Sequence, residues 1–284
     1  MTNLIEARGL SKSYGSHKAL KSVNFNVERG KIVGLVGPNG AGKTTILKSI
    51  LGLTSYEGEL KVLGLEPDRQ RHQIMQKVSF IADVAVLPRW LVVEDAIEFV
   101  TNVHPNFNLE RAKYFLAKTK IPMKAKVKEL SKGMVAQLHL ALVMSIEAEL
   151  LVLDEPTLGL DILYRKEFYN QLLTEFFDEG RSILVTTHQI EEIENLLTDL
   201  LFIKDGEIVL ESSMDEISNK YIEVMVNKEN VERAQALNPL MQRDVFGRKV
   251  FLFEDANRED VEALGETHSP SVADLFVAKM KEGK

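Results

Sequence analysis

The sequence contains no cysteine among its 284 residues. This absence excludes disulfide bonds, metal sites built on thiolates and a cysteine nucleophile. It also fits a protein of a reducing compartment, where disulfides are rare. Any chemistry must therefore come from other side chains.

Long apolar runs and an excess of positive charge are missing as well. The longest apolar run, residues 138–146, is far shorter than the roughly 18 residues that a membrane-spanning helix needs. The N-terminal stretch has no long apolar core and so does not resemble a secretory signal. The formal net charge is −7, unlike that of a strongly basic nucleic-acid reader. We therefore expect a chain that neither crosses a membrane by itself nor binds nucleic acid directly.

Apolar strand-like runs alternate with helical patterns from residue 30 to about residue 210. These runs are residues 31–37, 77–83, 150–156 and 182–188. The alternation predicts an α/β domain with a mainly parallel sheet. Ligands of such sheets bind beyond the carboxyl ends of the strands. Candidate site residues stand at those ends: Gly37, Asp83, Asp154, Glu155 and His188.

Two segments inside this region depart from the alternation. Strand patterns at residues 23–27 and 58–64 predict an antiparallel β layer beside the main sheet. Residues 90–147 are mostly helical in pattern and form an insertion in the α/β order. We take these segments together with the parallel sheet as one domain over residues 1–214.

The pattern changes again over residues 215–284. Strand-like runs at 221–226 and 249–254 precede an amphipathic helix at 271–283, for which Ser271 is the candidate cap. We therefore predict a small α+β accessory domain.

A glycine-rich loop follows the first apolar strand and precedes a helix. Its sequence, GPNGAGKTT, matches the phosphate-binding pattern G-x-x-x-x-G-K-[ST] in the strand–loop–helix context that the pattern requires. Backbone N–H groups would face phosphate oxygens, Lys43 would meet the β and γ phosphates, and Thr44 would bind Mg²⁺. The alternative is a glycine-rich turn without nucleotide. The predicted nucleotide-binding residues of the loop are Gly37, Pro38, Asn39, Gly40, Ala41, Gly42, Lys43, Thr44 and Thr45.

Two adjacent carboxylates end the strand at 150–156. In enzymes with a phosphate loop, the acid at this strand end holds Mg²⁺, a role that we assign to Asp154. Glu155 would then polarise the attacking water. His188 ends the next strand on the same rim, and we predict that it contacts the γ phosphate. An acidic helix cap and a structural histidine are the alternatives.

Four segments in order carry a resemblance to a known family: GPNGAGKTT, ELSKGM, LLVLDEPTLGLD and TTH. Together they closely resemble the ATP-binding subunit of an ABC transporter, over about residues 3–212. The resemblance implies an α/β P-loop NTPase with a RecA-like, mainly parallel sheet and a helical signature subdomain. It also implies ATP and Mg²⁺ as cofactors and ATP hydrolysis as the activity. A second copy or a related subunit, a separate transmembrane permease and a peripheral place on the cytoplasmic face of the membrane are implied as partners and location.

The resemblance also assigns roles to residues outside the phosphate loop. In this family two subunits pack head to tail, and the signature loop of one meets the ATP of the other. Ser131, Lys132 and Gly133 occupy that loop, with Ser131 and the amide of Gly133 placed to meet the γ phosphate. Tyr14 matches the aromatic that stacks on adenine, and Asp161 matches the acid that crosses the dimer interface.

The sequence departs from the family pattern at three positions. Lys132 replaces a glycine and Met134 a glutamine in the signature loop. Lys132 either favours bound ATP through its charge or points to solvent. Asp83 replaces the usual glutamine after its strand, and its oxygen is still an acceptable ligand for Mg²⁺. Trp90 either contacts the membrane partner or packs at a helix start.

Within the transporter family the sequence resembles the bacterial exporter-type, ABC-2 group of multidrug, bacteriocin and lantibiotic resistance. The LSKGM loop, residues 104–122 and the closing helix carry that likeness. An importer subunit is the alternative within transport. A soluble ATPase of translation or DNA maintenance, and an ATP-binding module without hydrolysis, are the alternatives outside it.

Overall fold

Four short apolar runs form the parallel part of the central sheet. The computed structural model describes residues 3–82, 87–158, 160–177 and 181–281. Side chains of these strands are almost all buried, as expected for parallel strands covered on both faces. The strands are β3 (Ile32–Val36), β5 (Val78–Ile81), β6 (Leu150–Asp154) and β7 (Ser182–Thr187).

The sheet order within the described residues is β5-β6-β7-β3-β8-β9, with β8 at Asp199–Lys204 and β9 at Glu207–Ser213. Pairings from β5 to β8 are parallel, and β9 joins the edge in antiparallel fashion. The carboxyl ends of β3, β6 and β7 therefore meet at one edge. This arrangement confirms the predicted α/β class.

The predicted antiparallel layer is also present. It consists of β1 (Asn3–Tyr14), β2 (His17–Glu28) and β4 (Glu57–Val62), in the order β2-β1-β4. Buried side chains alternate along β2, because one face packs on the core and the other meets water. Its inner face shares a hydrophobic cluster with β3 and with helix α1 (Lys43–Ile50).

Helices dominate residues 90–147, as predicted. They are α3 (Val93–Val103), α4 (Leu109–Ala117) and α5 (Lys132–Met144). Helix α5 carries apolar residues on most of its surface, which suits a helix packed between neighbours. The remaining helices of the α/β region are α2 (Pro67–Met75) and α6 (Ile162–Gln171), the latter continuing as a π-helical segment over Leu172–Phe176.

Beyond residue 213 the described residues form a second antiparallel sheet with the order β11-β12-β10-β13. Its strands are β10 (Tyr221–Val226), β11 (Met241–Val245), β12 (Arg248–Glu254) and β13 (Gly265–His268). Helices α7 (Met214–Lys220), α8 (Val231–Ala236), α9 (Arg258–Glu262) and α10 (Val272–Lys281) accompany it.

An ion-paired carboxylate ties β12 to its helices. Burial by itself would raise the pKa of Glu254, but hydrogen bonds from Lys279, Lys220 and Tyr221 outweigh it and lower this pKa to about 2. The Glu254 carboxylate accepts from Lys279 Nζ at 2.7 Å and from the Tyr221 hydroxyl at 2.9 Å. The Glu254 side chain therefore links the start of β10, at Tyr221, to helix α10, at Lys279.

Helix α10 packs against the α/β region. The Phe276 ring meets Phe202 of β8 edge-on, with centroids 5.3 Å apart. The Val272 N–H donates to Glu194 Oε1 at 2.9 Å, and Leu275 is fully buried in the cluster that includes β6 and β7. The domain boundary after residue 214 stays a prediction.

Among the helices of the described residues, none combines the length and apolarity that crossing a bilayer demands.

Candidate active site

The phosphate loop runs from the end of β3 into α1. Gly40 and Gly42 have left-handed backbone angles, with φ of +81° and +114°. A Cβ atom on Gly42 would lie 2.8 Å from the backbone oxygen of Ala19, so a side chain there would be both strained and crowded. No described side chain caps the first turn of α1. Its N–H groups are therefore left to an anion.

Lys43 begins α1 with its ammonium group folded onto the loop. Its Nζ donates to the carbonyl oxygens of Gly37 at 2.6 Å and Pro38 at 3.2 Å. Burial lowers the pKa of Lys43, whereas the carboxylates of Glu155 and Asp154 act to raise it. The two hydrogen bonds thus keep the Lys43 ammonium group at the loop, close to both carboxylates.

Asp154 links the phosphate loop to β7. One carboxylate oxygen accepts from the Thr44 hydroxyl at 3.2 Å, and the other accepts from the Thr186 hydroxyl at 2.6 Å. The Asp154 side chain is buried at the end of β6. Thr44 and Asp154 therefore present a hydroxyl and a carboxylate oxygen side by side, which is the donor chemistry that Mg²⁺ prefers.

Glu155 and His188 are in direct contact. The imidazole Nδ1 lies 2.8 Å from Glu155 Oε2. Glu155 has a positive φ of +48°, and its N–H is held by the carbonyl and hydroxyl oxygens of Thr186 at 3.1 and 3.2 Å. This backbone conformation turns the side chain to the rim rather than continuing the strand. Sequence reasoning placed both residues on the rim but did not predict their contact.

A cavity of about 640 Å³ joins these groups. Its volume lies within the range of ligand pockets in proteins. The predicted residues on its wall are Tyr14, Asn39, Gly40, Gly42, Lys43, Thr44, Thr45, Asp154, Glu155 and His188. Gly37, Pro38 and Ala41 belong to the loop but are not part of this wall; a Cβ on Gly37 would lie 2.5 Å from the backbone oxygen of Ile203.

Sequence reasoning missed three residues of the cavity wall: His17, Ala19 and Leu158. His17 reaches the site because the β1–β2 hairpin pairs it with Tyr14. The Tyr14 ring is half exposed, and Lys12 Nζ lies 5.0 Å from its centre. In the sequence, the short turn at Gly15 and Ser16 was the signal that could have placed His17 beside Tyr14.

The signature segment lies away from the cavity of its own chain. Ser131 caps α5, because its hydroxyl oxygen accepts from the Met134 N–H at 3.2 Å. Lys132 is exposed. Gly133 is buried, and a Cβ there would meet the Tyr164 ring of α6 at 2.8 Å. This glycine therefore has a packing reason within its own chain.

Two further predicted site residues are Asp161 and Asp83. Asp161 caps α6, with its Oδ1 accepting from the N–H groups of Leu163 at 3.0 Å and Tyr164 at 3.2 Å. Asp83, the predicted third metal ligand, lies outside the described residues.

Comparisons with known proteins identify the family of the chain. The ABC transporter family pattern matches residues 20–158. The lantibiotic transport ATP-binding protein SrtF of Streptococcus pyogenes is 33% identical over 221 residues, covering 76% of this chain and 93% of that protein. The Nod factor export ATP-binding protein I of Burkholderia lata is 36% identical over 216 residues, covering 74% and 70%.

Solved structures give the same result for the fold. A structure of the ATP-binding subunit of an ABC transporter matches with a TM-score of 0.70 at 25% identity, covering 76% of this chain and 92% of that one. A dimeric ATP-binding cassette in a post-hydrolysis state, bound to ADP and Pi, matches with a TM-score of 0.63 at 23% identity, covering 74% and 98%. The chain belongs to the family of ABC transporter ATP-binding proteins. It is a nucleotide-binding ATP hydrolase of the P-loop class.

Proposed function

We propose that this chain powers an exporter: two copies close on ATP and Mg²⁺, hydrolyse the ATP and thereby drive a separate transmembrane permease. The observation that carries the proposal is the pairing of Glu155 with His188 beside the phosphate loop. The names of the relatives that act in lantibiotic transport and Nod factor export support the direction of transport.

In the proposed reaction, the loop and Lys43 bind the β and γ phosphates, and Thr44 and Asp154 hold Mg²⁺. Mg²⁺ supplies charge neutralisation at the β and γ oxygens when bound. The described residues contain no group of three His, Asp or Glu side chains that would cage a metal. Two protein ligands with phosphate oxygens and water are the usual way in which Mg²⁺ is held at such sites.

Glu155 orients and polarises the attacking water, and His188 keeps the carboxylate in place while facing the γ phosphate. The 2.8 Å contact between His188 Nδ1 and Glu155 Oε2 supports these two roles. The imidazole N–H at Nδ1 donates to the carboxylate, and the second ring nitrogen is left for another partner. The two residues immediately follow the neighbouring strands β6 and β7, which brings them close together.

The signature segment serves the second copy. Ser131 and Lys132 are exposed at the N-terminus of α5, where partial positive charge favours a phosphate. Asp161 is exposed at the start of α6, as a residue of a dimer interface would be in a single chain. Closure and opening of the pair would then move the permease.

Copurification of Glu155→Gln tests the proposal. The amide cannot act as a base, so we expect the variant to bind ATP but to lose nearly all turnover, which traps the closed pair. Gentle solubilisation of host membranes with ATP and Mg²⁺ should recover a multi-span membrane protein in stoichiometric amount. Glu191→Gln changes an exposed glutamate near His188 and is the matched control, with normal turnover expected.

Three outcomes contradict the proposal at different points. Normal turnover by Glu155→Gln refutes the assignment of the base. Recovery of the trapped protein with ribosomes, with nucleic acid or without any membrane protein refutes the transporter role, while an importer permease among the captured proteins refutes only the direction.

A further inference from the structure

Arg165 connects two segments that border the active site. It lies in the first turn of α6, and only 20% of its side chain is exposed. Its Nε donates to the carbonyl oxygen of Leu160 at 2.7 Å. Its Nη1 donates to Gln189 Oε1 and to Glu192 Oε1, the latter at 2.5 Å. One guanidinium group therefore holds two separate stretches of chain.

Both stretches lead directly to proposed site residues. Leu160 immediately precedes Asp161, and Gln189 immediately follows His188. The Gln189 N–H also donates to the Thr187 hydroxyl at 2.9 Å, which fixes its backbone to the end of β7. The contact of Arg165 with the Gln189 side chain thus acts one residue away from the imidazole.

The His188 ring itself is not fixed by burial. Its side chain is 45% exposed, and its Nδ1 contacts Glu155 Oε2 at 2.8 Å. A half-exposed ring needs its backbone held if the ring is to stay in line with the carboxylate. Arg165 provides that restraint through its contacts with Gln189 and Glu192, which follow His188 in the chain.

The arrangement is not needed to start α6. Asp161 already caps this helix through two N–H groups, so the three contacts of Arg165 add a connection between segments. A lysine could not reproduce it, because an ammonium is a single donor centre whereas the planar guanidinium presents donors in several fixed directions.

We propose that Arg165 is a positioning residue for ATP hydrolysis, which holds His188 in register with Glu155 by tying residues 189–192 to the start of α6. The inference rests on the proposed roles of Glu155 and His188. Arg165 does not line the phosphate-loop cavity. Its loss should therefore lower kcat without weakening ATP binding.

Kinetics of Arg165→Lys give the first readout. Small misplacements at an active site can cost up to about a hundredfold in rate, and we expect a fall in kcat of about tenfold. The Kd for ATP, measured without turnover, should change less than about twofold. Arg29→Lys is the matched control, because Arg29 also contacts a glutamate, Glu149, at a place remote from the cavity wall. Its kcat should stay at the wild-type value.

Histidine NMR gives the second readout, which a general loss of structure would not reproduce. The chain has six histidines, and a His188→Gln spectrum identifies the signal of His188 after ¹³C-histidine labelling. In Arg165→Lys the His188 signal should shift or broaden while the other five keep their positions. A matching thermal melt shows that the variant is folded.

The two readouts separate the inference from the proposed function. An unchanged His188 signal overturns the positioning role of Arg165, as does a shift spread over all six histidines. A His188 signal that shifts while kcat stays at the wild-type value supports the positioning role and refutes instead the proposed part of His188 in hydrolysis.

Discussion

The backbone of Glu155 offers a direct test of whether the site stores strain. Its φ of +48° lies in the left-handed region, which glycine adopts freely and other residues do not. We therefore compare Glu155→Gly with Glu155→Ala. Both variants remove the carboxylate and its contact with His188, so that this loss cancels in the comparison.

The expected difference follows from two opposing terms. The left-handed conformation costs a residue with a Cβ roughly 1–2 kcal/mol. Glycine loses more conformational freedom on folding, which costs it about 0.5–1 kcal/mol relative to alanine. The midpoints of the two terms leave Glu155→Gly more stable than Glu155→Ala by about 0.75 kcal/mol, within a span of roughly 0–1.5 kcal/mol. The order is the reverse of the one at ordinary positions.

Urea unfolding with ATP absent measures this difference through the midpoints of the two variants. Glu191, in the 3-10 turn Ile190–Glu192, supplies the matched pair. There the glycine variant should be the less stable of the two, because a helical turn gives glycine no conformational advantage. Both pairs change glutamate to the same two residues, so that composition is held constant.

The reasoning fails if Glu155→Ala equals or exceeds Glu155→Gly in stability while the Glu191 pair behaves as expected. In that case the contacts of the Glu155 N–H with Thr186 would not be holding a strained residue. If the expected order is found, the protein maintains its proposed base in a conformation that costs stability. Such residues cluster at functional sites.

Three further predictions follow from contacts that the fold creates. Gly133→Ala places a Cβ 2.8 Å from the Tyr164 ring and should lower the free energy of unfolding in urea by about 1–3 kcal/mol. Adding Tyr164→Ala should recover stability but not ATP hydrolysis. If the double variant recovers both, packing is the whole role of this glycine. Ser131→Asp keeps an acceptor that caps α5 but brings a negative charge, so ATPase assays should show lost turnover with little change in melting temperature, unlike Ser131→Ala, which also loses the cap. Because the pKa of Glu254 falls from 4.5 to about 2 on folding, its carboxylate stabilises the fold fully above pH 4.5 and loses this effect as the pH falls toward 2. Glu254→Gln should therefore melt below wild type at pH 7, and a gap that stays constant down to pH 3 would contradict the pairing.

Local pattern was sufficient for the parts of the site that one chain segment builds. The phosphate loop is a continuous stretch whose glycines and lysine act through the backbone around them. The acids and His188 could be placed as well, because the carboxyl ends of β3, β6 and β7 share one edge of a parallel sheet. The residues that follow parallel strands can thus be predicted to lie near one another even when the order of the strands in the sheet is unknown.

Contacts between segments could not be predicted in this way. The approach of Tyr164 to Gly133 depends on how α6 packs on α5, and no periodicity in either helix specifies that partner. The same holds for Arg165, whose partners at 189–192 lie some 25 residues further along the chain. In a sequence, a charged residue near a helix start is explained by the helix to which it belongs. Gln189 and Glu192 come within reach of Arg165 only when the chain folds.

The signature segment shows why a structural reason and a functional reason need not compete for the same residue. Ser131 uses one acceptor position of its hydroxyl for the Met134 N–H, and that hydroxyl still has a hydrogen to donate to a phosphate oxygen. Gly133 is required by the Tyr164 ring on one side, while its own N–H belongs to the first turn of α5, where N–H groups lack partners within the helix. Capping and packing thus hold these donors in place before any partner arrives, and a preorganised donor contributes more to binding a phosphate than a mobile one. The helix start that stabilises one chain therefore also meets the requirement of its proposed role at the site of a second copy.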